Sequence, residues 1–280
     1  MKINWFPGHM LKTKKEIKEN LKLVDVVIEI RDARIVKSSS NPDIDEICSG
    51  KPRIILLNKS DLCEDHVVRS WCKKLSTEEV KALSVNCVTG KGLNEIKPLI
   101  NELLKEKHDR LKAKGLMNIV TRAMVVGIPN VGKSSFINKM AKNNIAKTGD
   151  RPGVTKNKQW IKTKLGLELM DTPGVLWPKF EDMEVGFNLA FTGAIKDEVM
   201  DMEELAVHLV RRLQEVAPDR LKERYKLTEL CDEPLETLNK IALKRGAIVS
   251  GGEVDYNRIA NIILDEFRGG KIGKICLELP

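Results

Sequence analysis

Three short segments carry residue types at spacings that suit nucleotide chemistry. Gly127-Ile128-Pro129-Asn130-Val131-Gly132-Lys133-Ser134 fits G-x-x-x-x-G-K-[ST] at every fixed position. Such a loop, set between a strand and a helix, turns backbone N–H groups toward phosphate oxygens, and the helix N-terminus favours their negative charge. The contacts would come from the loop residues Asn130, Val131, Gly132 and Ser135, with Lys133 reaching the outer phosphates and the Ser134 hydroxyl ligating Mg²⁺. Asp171-Thr172-Pro173-Gly174 stands downstream at the end of an apolar run. Asp171 there can hold Mg²⁺ directly or through water, and the Gly174 N–H can sense the terminal phosphate. Asn58-Lys59-Ser60-Asp61 is the third segment. The Asp61 carboxylate can accept two N–H groups from a guanine edge, which adenine does not offer, so the expected ligands are GTP and GDP. Lys59 would lie along the base face, and Asn58 would tie loops together.

Two further segments belong with these. Ser84-Val85-Asn86-Cys87 is expected to form a second base-contacting loop, with Asn86 and Cys87 at the nucleotide, although it departs from the usual Ser-Ala-Lys. Arg151-Pro152-Gly153-Val154-Thr155 is turn-rich, as a mobile switch requires. Thr155 is the candidate for the threonine that closes on Mg²⁺ when the γ-phosphate is present, and Thr148 is the alternative.

These residues need a scaffold, and the apolar pattern supplies one. Asp25–Ile30, Arg53–Leu57, Val80–Val85 and Arg122–Val126 read as strands, two of them as short unbroken apolar runs typical of buried parallel strands. Gln159–Thr163 and Leu167–Met170 complete the set. Lys12–Val24 reads as a basic amphipathic helix, and Leu93–Leu111 has helical spacing. Strands alternating with helices predict an α/β fold with a mostly parallel sheet and helices on both faces. Beyond Pro178 the texture changes: Met202–Val216, Glu233–Arg245 and Tyr256–Phe267 all look helical, with Ser250-Gly251-Gly252 as a turn. The expected division is 1–180 and 181–280, the second a small all-helical domain, with the boundary near 178–185.

Composition narrows the class. Of 280 residues, 42% are hydrophobic and 31% charged, as in globular proteins, and no apolar run approaches a membrane span. The first residues lack the apolar core of a signal peptide, so the cytoplasm is expected. Cys48, Cys63, Cys72, Cys87, Cys231 and Cys276 are scattered with no Cys-x-x-Cys pair, which indicates reduced thiols rather than a zinc site or disulfide framework. Net charge is +8, unevenly spread: residues 1–180 hold 34 Lys+Arg against 20 Asp+Glu, and residues 181–280 hold 14 against 20. The basic body suits a polyanion such as RNA. Arg211 with Arg212, Lys240 with Lys244 and Arg245, and Lys271 with Lys274 are local basic clusters in the acidic part.

The base motif precedes the phosphate loop, the reverse of the usual order. In that order, and in Trp5-Phe6-Pro7-Gly8-His9-Met10, Asp32-Ala33-Arg34, Asn58–Asp61, Gly127–Ser135, Arg151–Thr155 and Asp171–Pro178, the chain resembles the circularly permuted GTPases of the ribosome biogenesis GTPase A family. The resemblance implies a circularly permuted Ras-like P-loop G domain followed by a helical C-terminal domain that contacts RNA. It also implies GTP hydrolysis in late assembly of the bacterial large ribosomal subunit, with the subunit precursor and its rRNA as partners, no DNA, no membrane span and a monomer when free. A GTP-switched assembly placeholder that hydrolyses only for release is the alternative, as is a GTPase of another RNA process such as tRNA modification.

Two residues acquire roles through resemblance. Ras-like enzymes often place Gln after the switch glycine to orient water, but Val175 stands there. His9 is the substitute that the resemblance supports, since an imidazole can hydrogen-bond a water at neutral pH. Asn130 resembles the loop asparagine of potassium-dependent GTPases, whose carbonyl helps hold K⁺ beside the phosphates. The expected cofactors are therefore Mg²⁺ and K⁺.

Overall fold

The computed structural model of the chain describes residues 10–116, 119–141, 160–177 and 182–280. His9, Thr148 and Thr155 lie outside them.

Strands β1 (Val26–Asp32), β2 (Arg53–Asn58), β3 (Val80–Ser84), β4 (Thr121–Val126), β5 (Trp160–Lys162) and β6 (Leu167–Asp171) form one sheet in the order β3-β2-β1-β4-β6-β5. All neighbours are parallel except the β5–β6 pair. β1 is buried along its whole length, as a central strand covered on both faces must be. Its even positions Val26, Ile28 and Ile30 join the larger core, whereas Val27 faces a smaller cluster with Met124 and Val126.

Helices cover both faces: α1 (Met10–Asn20), α2 (Pro42–Ile47), α3 (Asp65–Leu75), α4 (Ile96–Leu103), α5 (Lys105–Ala113) and α6 (Lys133–Met140). The helical spacing of Leu93–Leu111 resolves into a 3-10 turn and two helices that break at Leu104. Leu104 itself is buried, while α5 beyond it buries no residue. The break keeps the last apolar anchor in the core and sends a charged helix over the surface.

A phosphate-loop domain in the usual order would begin at β4, run through β5, β6, β1 and β2, and finish at β3. Here α4 and α5 make the link from β3 to β4, and β6 leads instead to α7 (Met183–Phe191). The strand order is thus that of a circularly permuted P-loop domain.

After α7 come α8 (Met202–Val216), α9 (Pro218–Tyr225), α10 (Pro234–Arg245) and α11 (Tyr256–Arg268). Helix α8 is central to this part and packs on α10 and α11. Asp201 caps α8 by accepting from the backbone N–H groups of Glu203 and Glu204. The turn at 250–252 joins α10 to α11 through an isolated bridge between Ile248 and Val254. One apolar cluster runs without interruption from Ile28 and Val125 of the sheet to Leu189, Leu209 and Ile263 of the helices. The final residues then return to the carboxyl end of the sheet, beyond β1 and β2: the Ile275 N–H donates to the Leu62 carbonyl at 2.9 Å, and the Leu277 N–H to the Arg34 carbonyl at 2.9 Å. All six cysteines are free thiols.

Candidate nucleotide site

The motif segments lie at the carboxyl ends of β2, β3, β4 and β6, where open parallel sheets bind ligands. The tight approach of the loops is carried by Asn58. Its Nδ2 donates to the Val131 carbonyl at 2.7 Å, and its Oδ1 accepts from the Cys87 N–H at 2.9 Å. One buried amide therefore joins the base loop, the phosphate loop and the loop after β3. Gly132, at φ +99°, passes so near Asn58 Nδ2 that a Cβ there would collide with it.

The other base-motif residues divide between anchoring and display. Ser60 donates its hydroxyl to the Val85 carbonyl at 2.9 Å. Asp61 is exposed on the 3-10 turn Ser60–Leu62. Lys59 adopts a left-handed φ of +59°, and its ammonium lies 2.9 Å from Asp32 Oδ2 and 2.9 Å from the Asn130 carbonyl. The side chains of the β3 loop serve the loop itself: Asn86 Oδ1 accepts from the N–H groups of Val88 and Thr89 at 2.9 Å. Cys87 is buried in the core cluster, and burial pushes its thiol up to about 12.

In the phosphate loop Asn130 holds φ +58° and donates Nδ2 to the Gly193 carbonyl at 2.5 Å. Lys133 opens α6 and folds back over the loop, donating to the carbonyls of Gly127 at 3.1 Å and Ile128 at 2.7 Å. Burial pulls its ammonium down to about 8, against the opposing pull of Asp171. Burial in turn raises the Asp171 carboxyl above its ordinary range, and Lys133 offsets part of that. Ser134 is exposed beside Lys133, and Ser135 is part-buried.

The segment after Asp171 is tightly held. Thr172 donates its hydroxyl to the Val125 carbonyl at 2.7 Å. A Cβ on Gly174 would stand 2.8 Å from Lys133 Nζ and 2.9 Å from the Pro129 backbone. Val175 donates its N–H to the Gly127 carbonyl at 3.3 Å and is buried among Ile17 of α1, Ile44 of α2 and Val126 of β4. Its carbonyl accepts Asn41 Nδ2 at 2.8 Å. Asn41 was not among the residues singled out from the sequence, although Asn-Pro-Asp carries the signal of a helix N-cap. Its Oδ1 caps α2 while its Nδ2 clamps the switch.

The basic clusters of residues 181–280 are engaged in part. Arg212 bonds the Leu277 carbonyl and pairs with Glu184 and Glu215. Arg245 pairs with Glu266, Lys240 with Glu229 and Lys274 with Asp65. A different cationic cleft of about 360 Å³ lies at the opposite end of β4 from the phosphate loop. Lys97, Lys105 and Lys112 line it with His108, Asp109 and Thr121.

Comparison with known proteins fits this geometry. Residues 122–243 match the family model described as 50S ribosome-binding GTPase. The ribosome biogenesis GTPase A of Bacillus licheniformis is 50% identical over 280 residues, covering 100% of this chain and 99% of that protein. The probable ribosome biogenesis GTPase A of Mycoplasma genitalium is 35% identical and covers 99% and 97%. Among solved structures, GNP-bound YlqF from T. maritima superposes with a TM-score of 0.66 at 26% identity, over 96% of this chain and 98% of that one. With the permuted sheet, the joined loops and relatives that match over the full length, the chain belongs to the ribosome biogenesis GTPase A family.

Proposed function

We propose that this GTPase hydrolyses GTP to GDP and phosphate while bound to a precursor of the large ribosomal subunit, late in that subunit's assembly. The observation that carries the nucleotide half is the Asn58 bridge, which joins the base loop, the phosphate loop and the loop after β3 at the carboxyl end of the sheet. The guanine would meet Asn58, Lys59, Ser60 and Asp61, with the backbone of Asn86 and Cys87 beside it. The phosphates would meet Asn130 to Ser135 and the Gly174 N–H. The ribosomal half draws on the relatives' names and the family description. Residues 1–180 would carry the chemistry, and residues 181–280 would engage the subunit in the cytoplasm.

Mg²⁺ fits the donor set. Ser134 and Asp171 offer hard oxygens and leave the remaining positions to phosphates and water, as nucleotide-bound Mg²⁺ requires. A cation beside Asp171 also answers its burial, which otherwise favours the neutral acid. Bound Mg²⁺ supplies charge neutralisation at the phosphates, and Thr155 would join it from the switch, in preference to Thr148. Asn130 has its Nδ2 engaged by Gly193, so Oδ1 is the atom it would offer to K⁺.

His9 is proposed to orient the attacking water. Support comes from Val175, which is apolar, buried and clamped, and so leaves that task to another residue. Helix α1 begins immediately after His9 and packs Ile17 in the same cluster as Val175. The test is single-turnover GTP hydrolysis with and without large-subunit precursors, in K⁺ and in Na⁺. His9→Ala is expected to lower the stimulated rate by about 10²-fold or more, with GTP affinity nearly unchanged and co-sedimentation with the precursor kept. Unaltered turnover would remove His9 from the mechanism, and equal rates in the two salts would remove K⁺. Subunit maturation that proceeds normally with a GTP-binding but hydrolysis-dead variant would favour the placeholder reading.

A further inference from the structure

The motif Asp32-Ala33-Arg34 carries no step of GTP hydrolysis, yet it is among the most deeply buried charged segments of the chain. Asp32 ends β1 and Arg34 follows it; both side chains are 2% exposed. The Asp32 carboxylate accepts from Arg34 Nε at 2.9 Å, from Arg34 Nη2 at 2.8 Å and from the Arg34 backbone N–H at 3.1 Å. Its Oδ2 also holds the Lys59 ammonium at 2.9 Å. The two cations keep the carboxylate ionised, well below the usual range.

Arg34 is committed on its other side too. Nη1 donates to the carbonyls of Phe267 and Arg268, both at 3.3 Å, and the guanidinium lies 5.3 Å from the Phe267 ring centroid. Those carbonyls belong to the last turn of α11, where the helix ladder runs out of N–H donors. Arg268 then fastens the same turn to the end of α7, donating to Ala190 and Phe191 at 2.9 Å and 3.1 Å and pairing with Asp197 at 2.7 Å. An unbroken run of bonds therefore leads from the helical part of the chain to Lys59.

We infer that Arg34 is a positioning residue for the guanine site: it fixes Asp32, which holds the Lys59 ammonium and so keeps the lysine stem stretched across the base face, and it takes its own position from the end of α11. The lysine stem is a flexible four-carbon chain, and it stacks on a base only if its far end is anchored. Fork geometry makes Arg the side chain suited to hold one carboxylate in two places while giving a third N–H elsewhere. The consequence is that release of guanine nucleotide depends on how α11 is seated, which makes the helical part a place from which a bound partner governs exchange. This inference rests on the proposed placement of guanine against Lys59.

The test uses the full chain with Mg²⁺ and a fluorescent GDP, measuring the release rate of wild type, Arg34→Gln, Lys59→Ala and the double variant. Arg34→Gln is expected to speed release about tenfold and to add nothing on the Lys59→Ala background. Competition by pyrophosphate, which reads the phosphate loop without a base, should not change in Arg34→Gln. Should that variant fail to fold, Asp32→Asn combined with Arg34→Gln removes both buried charges and should give the same fast release. An unchanged release rate in Arg34→Gln, or effects of Arg34 and Lys59 that multiply, overturns the inference. Release unaltered by Lys59→Ala overturns the base-site reading itself, a result distinguishable from failure at Arg34 alone.

Discussion

Lys133 sits where two requirements conflict. The phosphate contact proposed for it needs its charge, while its burial at the start of α6 opposes that charge and lowers its ammonium to about 8. A bound triphosphate supplies the missing counter-charge and raises the group again. Below about pH 8 the empty site is already protonated, so binding takes up no proton there. Above it, binding must recruit one, and affinity falls with rising pH until the bound-state value is reached. Calorimetry of GTP binding at about pH 8.5 in buffers of different ionisation enthalpy should show net proton uptake, and at about pH 7 almost none; identical heats in every buffer at the higher pH would contradict this. Asn58 is the other instructive residue. Its motif was legible in the sequence, but the partners of its two amide atoms, Val131 and Cys87, are 73 and 29 residues away. Val175 shows the opposite case: its side chain alone told that it could not orient water, and its burial gives the reason for its type.

At the scale of elements, α4 and α5 do more than link β3 to β4. They carry Lys97, Lys105 and Lys112 to one cleft beside Thr121, remote from the phosphate loop. In the cationic clusters of α8 and α10, Arg212, Lys240 and Arg245 are instead held in internal ion pairs. A polyanion is therefore expected to meet the α4–α5 face more readily than those helices. Replacing the three lysines with glutamines should weaken co-sedimentation with the subunit precursor and reduce the log–log salt slope by roughly one for each phosphate no longer neutralised. An unchanged salt slope would exclude this face. Strongly periodic or unbroken apolar segments were readable as elements: β2, β4, α8, α10 and α11 fall within a residue or two of expectation. Helices α2, α3, α7 and α9 were not foreseen. In α3 the buried Val67, Val68 and Trp71 are embedded in a charged, polar sequence, and α2 has only six residues. Their stability comes from packing, which a local window does not contain.

Across the whole molecule, the last residues act as a strap between distant parts. The Glu278 carboxylate accepts the N–H groups of Lys37 and Ser38, bonds the Ser38 hydroxyl, and accepts Asn188 Nδ2 of α7 at 3.2 Å. Trp71 Nε1 of α3 donates to the Glu278 carbonyl at 3.1 Å. Glu278→Ala removes acceptors from partly buried donors and should cost about 1–3 kcal/mol of unfolding free energy in a denaturant titration; an unchanged midpoint would show that water replaces the carboxylate at no cost. By itself the sequence determined the nucleotide class, the permuted order and the change from α/β to helical texture. These rest on local chemistry: a glycine loop and a carboxylate after a strand need only their immediate neighbours to be read. Only the tertiary structure decided that Asp32 and Arg34 join the base motif to α11, that Asn41 clamps the switch, and that the chain's end returns to the sheet. Those pairings join residues up to 243 positions apart, Arg34 to Leu277, and side-chain types do not say which buried charge or amide will meet which partner until the chain is folded around them.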